Sequence, residues 1–302
     1  MMNNFHNPVL LKECIEGLNI NANGIYVDAT FGGGGHSVEI LKKIESGKVI
    51  AFDQDQDAIL KNNIKDKRLV VLNQNFKYLK NGLTSLGIDQ IDGLIADLGI
   101  SSYQLDTPSR GFSFSASSKL DMRMNQHSSF SAKDILNNYK EEQLNNLFRA
   151  YADFNNPSKI TSVIINFRKK KEITNITEFT QLLKTVFKGP KKNKLLARIF
   201  QAIRIEVNSE IDCLKDLLTN SLKLIKPKGR LVIMSYHSVE DRIVKNFFKF
   251  GGFNSFPKVG MYQNEPSPFL VITKKPIQAN VREIENNNRA RSAKLRIAEF
   301  KG

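Results

Sequence analysis

At 302 residues, with 41% hydrophobic and 25% charged residues, the chain can bury one large core or two modest ones without staples. Its two cysteines, Cys14 and Cys213, form no spaced pair. With no apolar run near the ~18 residues of a bilayer span and no leader-like start, they point away from disulfide, metal and membrane proteins and toward the cytoplasm. A net charge of +15 suits a polyanionic partner such as nucleic acid, or a lysine-rich composition with no ligand behind it.

In chain order, continuous apolar runs predict buried parallel strands at Ile25–Val27, Val49–Phe52, Leu69–Leu72, Leu94–Ala96 and Leu231–Met234. Amphipathic stretches of helix length separate the first four. Repeated strand-helix-strand units predict an α/β, doubly wound, mostly parallel Rossmann-like sheet. From about Asp106 to Asn193 no strand pattern is found. Ser131 with Asp134, Pro157, and Thr177 mark three helix starts there, and Gly189-Pro190 ends the stretch. A small all-helical domain (107–193) therefore interrupts the α/β domain (1–106 and 194–302). One long helix is expected from Leu195 to Leu224. A turn at Pro227-Lys228-Gly229 then leads into Arg230–Met234, a helix follows from Val239 with Ser238 as a cap, and Pro268–Thr273 forms a late strand.

The first strand runs into Asp28-Ala-Thr-Phe-Gly-Gly-Gly-Gly-His36. Glycines at a strand-to-helix turn let backbone approach a ligand closely, and open α/β sheets bind ligands at the carboxyl ends of their strands. The nicotinamide pattern G-x-G-x-x-G fits poorly, because its third glycine falls on Ser37 or Val38. A carboxylate just before the glycines suits S-adenosylmethionine, whose amino-acid end is positively charged. Asp53, at the end of the second strand, stands where an acidic residue grips ribose hydroxyls. Without a ligand, the same residues make a tight turn and a solvated aspartate.

The fourth strand ends at Asp97-Leu98-Gly99. Enzymes that methylate exocyclic base amines usually have Asp/Asn-Pro-Pro-aromatic here, so the Leu-Gly pair departs from the generic pattern. The chemistry still favours an acceptor at Asp97. A base amine is a weak nucleophile, and a carboxylate accepting its N–H would orient it for attack. Neither cysteine falls at a strand end, which argues against carbon-5 methylation of a pyrimidine. His237, Glu240 and Arg242 follow the fifth strand and face the same cleft, either as contacts to a target nucleotide or as a helix start.

Several uncommon strings appear together and in order. They are Asp28–Ser37, Asp97-Leu-Gly-Ile-Ser-Ser-Tyr-Gln-Leu-Asp106, Arg110–Phe114, Leu120–Met124, Phe200–Glu210, Ser235-Tyr-His-Ser-Val-Glu-Asp-Arg-Ile-Val-Lys245 and Asn288–Arg296. With them the chain, from about residue 5 onward, resembles the bacterial 16S rRNA cytosine-N4 methyltransferases that act at the decoding centre. The resemblance implies S-adenosylmethionine as donor and the N4 of a cytidine in the assembled small subunit as acceptor. It implies cofactor contacts at Gly34, Gly35, His36, Asp53, Phe76, Asp97 and Gln104, beside Asp28. Spacing alone would make Phe76 a core residue and Gln104 a loop residue. Gly33 stands where the family often carries a longer side chain.

Asp97 is the expected catalytic residue, with His237 as a second candidate. Ser101, Ser102, Arg123, Glu240 and Arg242 are candidate substrate contacts. From Pro157 to Lys194 ten Lys or Arg face two acids. Lys169, Lys170, Lys191 and Lys192 are the expected RNA contacts there, with Arg289, Arg291, Lys294 and Arg296 in the tail. Two competing readings remain: methylation of another substrate such as DNA or a free nucleoside, and a non-catalytic RNA-binding assembly factor. The oligomeric state, homodimer included, is open.

Overall fold

The computed structural model describes residues 8–115, 117–253 and 267–302. Met1–His6, read above for a leader, lie outside them. The first elements are α1 (Leu11–Leu18), β1 (Ile25–Asp28), α2 (Gly35–Leu41), β2 (Lys48–Phe52), α3 (Gln56–Leu60), β3 (Leu69–Leu72), α4 (Leu79–Ser85) and β4 (Ile91–Asp97). Helices α5 (Ser102–Asp106), α6 (Ala132–Asn138), α7 (Glu141–Ala152), α8 (Ser158–Arg168), α9 (Ile176–Lys184) and α10 (Lys192–Val207) follow. The last are α11 (Glu210–Leu224), β5 (Ile225–Ser235), α12 (Ser238–Phe250), β6 (Phe269–Val271), α13 (Val281–Asn286) and β7 (Lys294–Phe300).

The seven strands form one sheet in the order β3-β2-β1-β4-β5-β7-β6. The first five are parallel, and β7 runs antiparallel to both β5 and β6. The apolar runs at β1, β2, β4 and β5 are buried because helices cover the sheet, and Val27, Ile50, Leu94 and Val232 are at 0% exposure. Strand order reverses between β1 and β4, which makes the carboxyl ends of these paired strands the switch point at which open α/β sheets bind ligands. The sequence-based fold class is the one observed.

Two compact units are present, residues 1–99 with 211–302, and residues 100–210. The helical unit is therefore longer at both ends than the expected 107–193. At its far end, α10 explains the extension: Leu196, Ile199, Phe200 and Ile203 are buried with Ile135, Phe148, Ile164 and Phe179 in the helical core. At its near end, Ile100 and Leu105 pack against that core.

The expected long helix is two helices. Ser209, at φ +49°, breaks it, and Asn208 turns its amide to the Met122 and Arg204 carbonyls while accepting from the Met124 N–H. The expected turn at Pro227–Gly229 is an irregularity inside β5, with Lys228 at φ +64°. Asn175, not Thr177, caps α9, accepting from the Glu178 N–H at 2.9 Å. Ser131 and Asp134 do form the expected reciprocal cap of α6. The tail, read as a basic RNA surface, contains β7. Arg296 is 6% exposed and its Nε donates to Asp241 Oδ1 at 2.6 Å, with Lys294 Nζ 3.4 Å from Oδ2. Arg296 thus neutralises a neighbouring helix rather than facing solvent, while Lys294 beside it stays partly exposed. Among the described residues no helix is long and apolar enough to cross a membrane.

Candidate active site

The β1-to-α2 turn is built around one carboxylate. Asp28 is 1% exposed; its Oδ2 accepts the Ser37 hydroxyl at 2.7 Å and its Oδ1 the Thr30 N–H at 3.2 Å. Burial raises its pKa, which Ser37 and Thr30 oppose. Asp28 thus fixes the glycine loop from behind, and as in any carboxylate each oxygen has a second lone pair beyond the one these donors take.

The glycines divide into two kinds. A Cβ at Gly34 would lie 2.6 Å from Ile64 Cδ1 at φ +76°, and one at Gly35 would lie 2.3 Å from Pro8 Cγ. Both positions admit no side chain because protein packs there. Gly33, by contrast, has nothing within 4 Å of an added Cβ, so a longer side chain fits there. The Gly32 N–H donates to Asp53 Oδ2 at 2.8 Å, and Asp55 N–H takes Oδ1 at 2.8 Å. Asp53 is pushed up to about 6, mainly by burial. Each of its oxygens keeps a further lone pair. Next to it, Asn73 Nδ2 donates to the Asp53 carbonyl at 3.0 Å, and Asn75 Nδ2 to Gln54 Oε1 at 2.8 Å. Half-buried Phe76 opens the short 3-10 turn that Asn75 caps.

Asp97 ends β4, where its N–H donates to Thr30 Oγ1 at 2.7 Å. Its Oδ1 accepts the Tyr236 hydroxyl at 2.7 Å, and no described residue of this unit donates to Oδ2. Burial pushes its pKa up to about 6, opposed by His36 and the Tyr236 hydrogen bond. The phenol of Tyr236 is raised in turn, first by burial and then by Asp97. His36 is 5% exposed, and burial lowers its pKa, which Asp97 opposes. Its Nε2 is buried with no hydrogen-bond partner among the described residues. A buried orphan of this kind, beside open glycine backbone and two partly free carboxylates, is what a polar ligand would complete. The donor set fits a cationic amino acid joined to a nucleoside.

Tyr236 was not singled out by sequence reasoning. Its signal is register: Asp97 pairs with Met234, so the residue just past β5 stands level with the end of β4. Glu240 anchors it, because its Oε2 accepts the Tyr236 N–H at 3.0 Å. Glu240 is 2% exposed and so braces this loop from inside; it is not a surface contact to substrate. His237, 8% exposed, caps α12 in place of Ser238, its Nδ1 accepting from the Glu240 N–H at 3.4 Å. Its Nε2 is 3.1 Å from Glu240 Oε1 without the alignment of a hydrogen bond. Arg242 is exposed. Cys14 is fully buried and its thiol is pushed well up, first by burial and then by Asp97, so it is no thiolate nucleophile. Cys213 is buried in α11.

In the helical unit, Ser101 caps α5 and trades hydrogen bonds with Gln104, which is 4% exposed. Ser102 is half-buried beside them. Arg123 grips Asp121 through Nε and Nη2 at 2.7 and 2.8 Å and spends Nη1 on the carbonyls of Gln126 and Ser128, so it braces its own loop instead of offering a free fork to substrate. Lys169, Lys170, Lys191 and Lys192 are exposed. Arg168 turns inward to the carbonyls of Leu136 and Tyr139, and Lys171 pairs with Glu178 at 2.6 Å.

A family model described as the MraW methylase family matches residues 3–301. The chain belongs to that family. A ribosomal RNA small subunit methyltransferase H from Christiangramia forsetii is 51% identical over 296 residues, covering 97% of each chain. The protein of that name from Karelsulcia muelleri is 46% identical and covers 99% of this chain and 100% of its own. A solved rRNA methylase from Streptococcus thermophilus, 12% identical with a TM-score of 0.40, covers 97% of this chain and 94% of its own. The chain is an S-adenosylmethionine-dependent methyltransferase.

Proposed function

We propose that the chain methylates the exocyclic N4 of one cytidine in 16S rRNA, within the assembled small subunit. The observation that carries this reading is Asp97: a carboxylate at the switch point, held through Oδ1 by Tyr236, with Oδ2 left to accept. The relatives' names supply the rRNA class, and the family resemblance supplies the cytidine amine.

S-adenosylmethionine, when bound, supplies an electrophilic methyl group on a sulfonium centre. Asp53 would take its ribose hydroxyls and Phe76 its adenine. His36 Nε2 and Asp97 would meet its amino-acid end. The target cytidine must leave its stack to enter such a site. Asp97 Oδ2, accepting an N4–H, localises the nitrogen lone pair for in-line attack, and Tyr236 fixes the carboxylate so that no reorganisation is needed at the moment of transfer. The amine proton can pass to water afterwards, so His237 is not required as a base. Exposed Lys169, Lys170, Lys191 and Lys192 would engage phosphates.

The test is incubation with labelled S-adenosylmethionine and unmethylated small subunits, in parallel with free 16S rRNA, followed by nucleoside analysis. Label on N4-methylcytidine, with subunits the better substrate, is expected. Label on cytosine carbon 5 or on adenine would overturn the assignment.

A further inference from the structure

Helix α12 has an outer face unlike those of its neighbours. Of its thirteen residues, the exposed ones are Ser238, Arg242, Lys245 and Lys249. They fall at successive turns on a single stripe, and three carry the same charge. The acids of the first turn are withdrawn from it. Glu240 is buried under the Tyr236 loop, and Asp241 is held by Arg296 and Lys294. Among the described residues none of the three cations forms an ion pair; Lys249 Nζ lies 4.9 Å from the centroid of Phe250.

An ordinary solvated helix face carries both signs. In α11 the exposed positions are Asp212, Asp216, Thr219 and Lys223, and in α1 exposed Lys12 and Glu16 pair at 3.8 Å. Like charges at helical spacing repel, so the α12 stripe opposes folding, and among the described residues the ring of Phe250 beside Lys249 is its one favourable contact. From Arg242 to Lys249 the chain rises seven residues, about 10 Å along the axis, in steps of about 4.5 and 6 Å. Such steps suit successive phosphates of a nucleic-acid backbone. The stripe also begins at the carboxyl end of β5, one turn beyond Tyr236 and Asp97.

We infer that Arg242, Lys245 and Lys249 form a phosphate-tracking rail on the methyltransferase unit, which takes the RNA backbone leading away from the target cytidine. The inference rests on the rRNA reading above and adds a surface outside the helical unit. The contacts are to phosphate, so they supply affinity and register and read no base.

The test compares R242E/K245E/K249E with K43E/K48E/K223E. The second variant has the same net charge, with all three changes at exposed lysines toward the amino-terminal ends of the strands. Binding of an unmethylated 16S rRNA transcript is measured against salt, with S-adenosylmethionine calorimetry as the check that each variant is folded. Three lost phosphate contacts lower the slope of log Kd against log salt by about 2 for single-stranded RNA. That loss is expected in the α12 variant and not in its charge-matched control. Equal losses in both, or none in either while the wild type binds, overturn the rail and leave the rRNA reading standing. Where the wild type binds only assembled small subunits, the same comparison is read on unmethylated subunits; a wild type that binds neither transcript nor subunits overturns both.

Discussion

Tyr236→Phe removes one hydroxyl and keeps the ring, so it isolates the 2.7 Å hydrogen bond to Asp97 Oδ1. A hydrogen bond to a charged group contributes about 1.5–3 kcal/mol net. To the extent that this energy is realised only in the transition state, through the fixed carboxylate, its loss slows transfer by up to about 10- to 150-fold. The same bond helps keep the Asp97 pKa from rising above about 6. In the variant the carboxyl ionises at higher pH, so the acid limb of the pH–rate profile moves upward. The assay is steady-state transfer of labelled methyl to unmethylated small subunits across that limb. The role assigned to Tyr236 predicts a fall in kcat with little change in KM for the subunit. A tyrosine that merely packs would lower Tm without moving the limb. A kcat/KM within about threefold of wild type, with the acid limb unmoved, would refute the reasoning.

Three further outcomes follow from the geometry. Asp28→Ala strands buried donors of Ser37 and Thr30, at about 1–3 kcal/mol each, so thermal unfolding should come earlier and, with the glycine loop loosened, S-adenosylmethionine binding should fail in calorimetry. Arg296→Ala should lower stability by about 3 kcal/mol while leaving the salt slope of RNA binding intact, because the pair with Asp241 is structural. Asp53 and Asp97 both have folded pKa values of about 6, above the unfolded value of about 3.9. The folded chain binds protons more tightly over that window, so the stability of the ligand-free protein should fall as pH rises from about 4 to about 6. Affinity for the cofactor, whose sulfonium and ammonium are cationic and whose ribose hydroxyls donate, should rise over the same window, since it favours the ionised carboxylates; calorimetry showing flat affinity there would contradict the placement of both aspartates.

The parallel core was legible because β1, β2, β4 and β5 are buried on both faces and so read as unbroken apolar runs. Strand β7 was not, because Lys294, Arg296 and Glu299 interrupt its pattern. Their charge is tolerated only because Asp241 and Arg230 wait across the fold, which no local window shows. The break at Ser209 carries neither glycine nor proline; Asn208 imposes it through a residue far away in sequence. At the site, Asp53 and Asp97 were readable as acids at strand ends. The supporting place of Asp28 and the internal use of Glu240 and Arg123 were not, since a carboxylate or guanidinium looks the same in sequence whether it faces a ligand or its own loop. Tyr236 needed the β4–β5 register.

The most direct test of the account is Asp97→Ala, assayed for S-adenosylmethionine binding and for methyl transfer to unmethylated small subunits. The variant should stay folded, because removing a carboxyl whose burial disfavours its charge offsets the stranded Tyr236 hydroxyl, and it should transfer no methyl group. Methylation within about threefold of wild type would show that the end of β4 is not where the amine is activated.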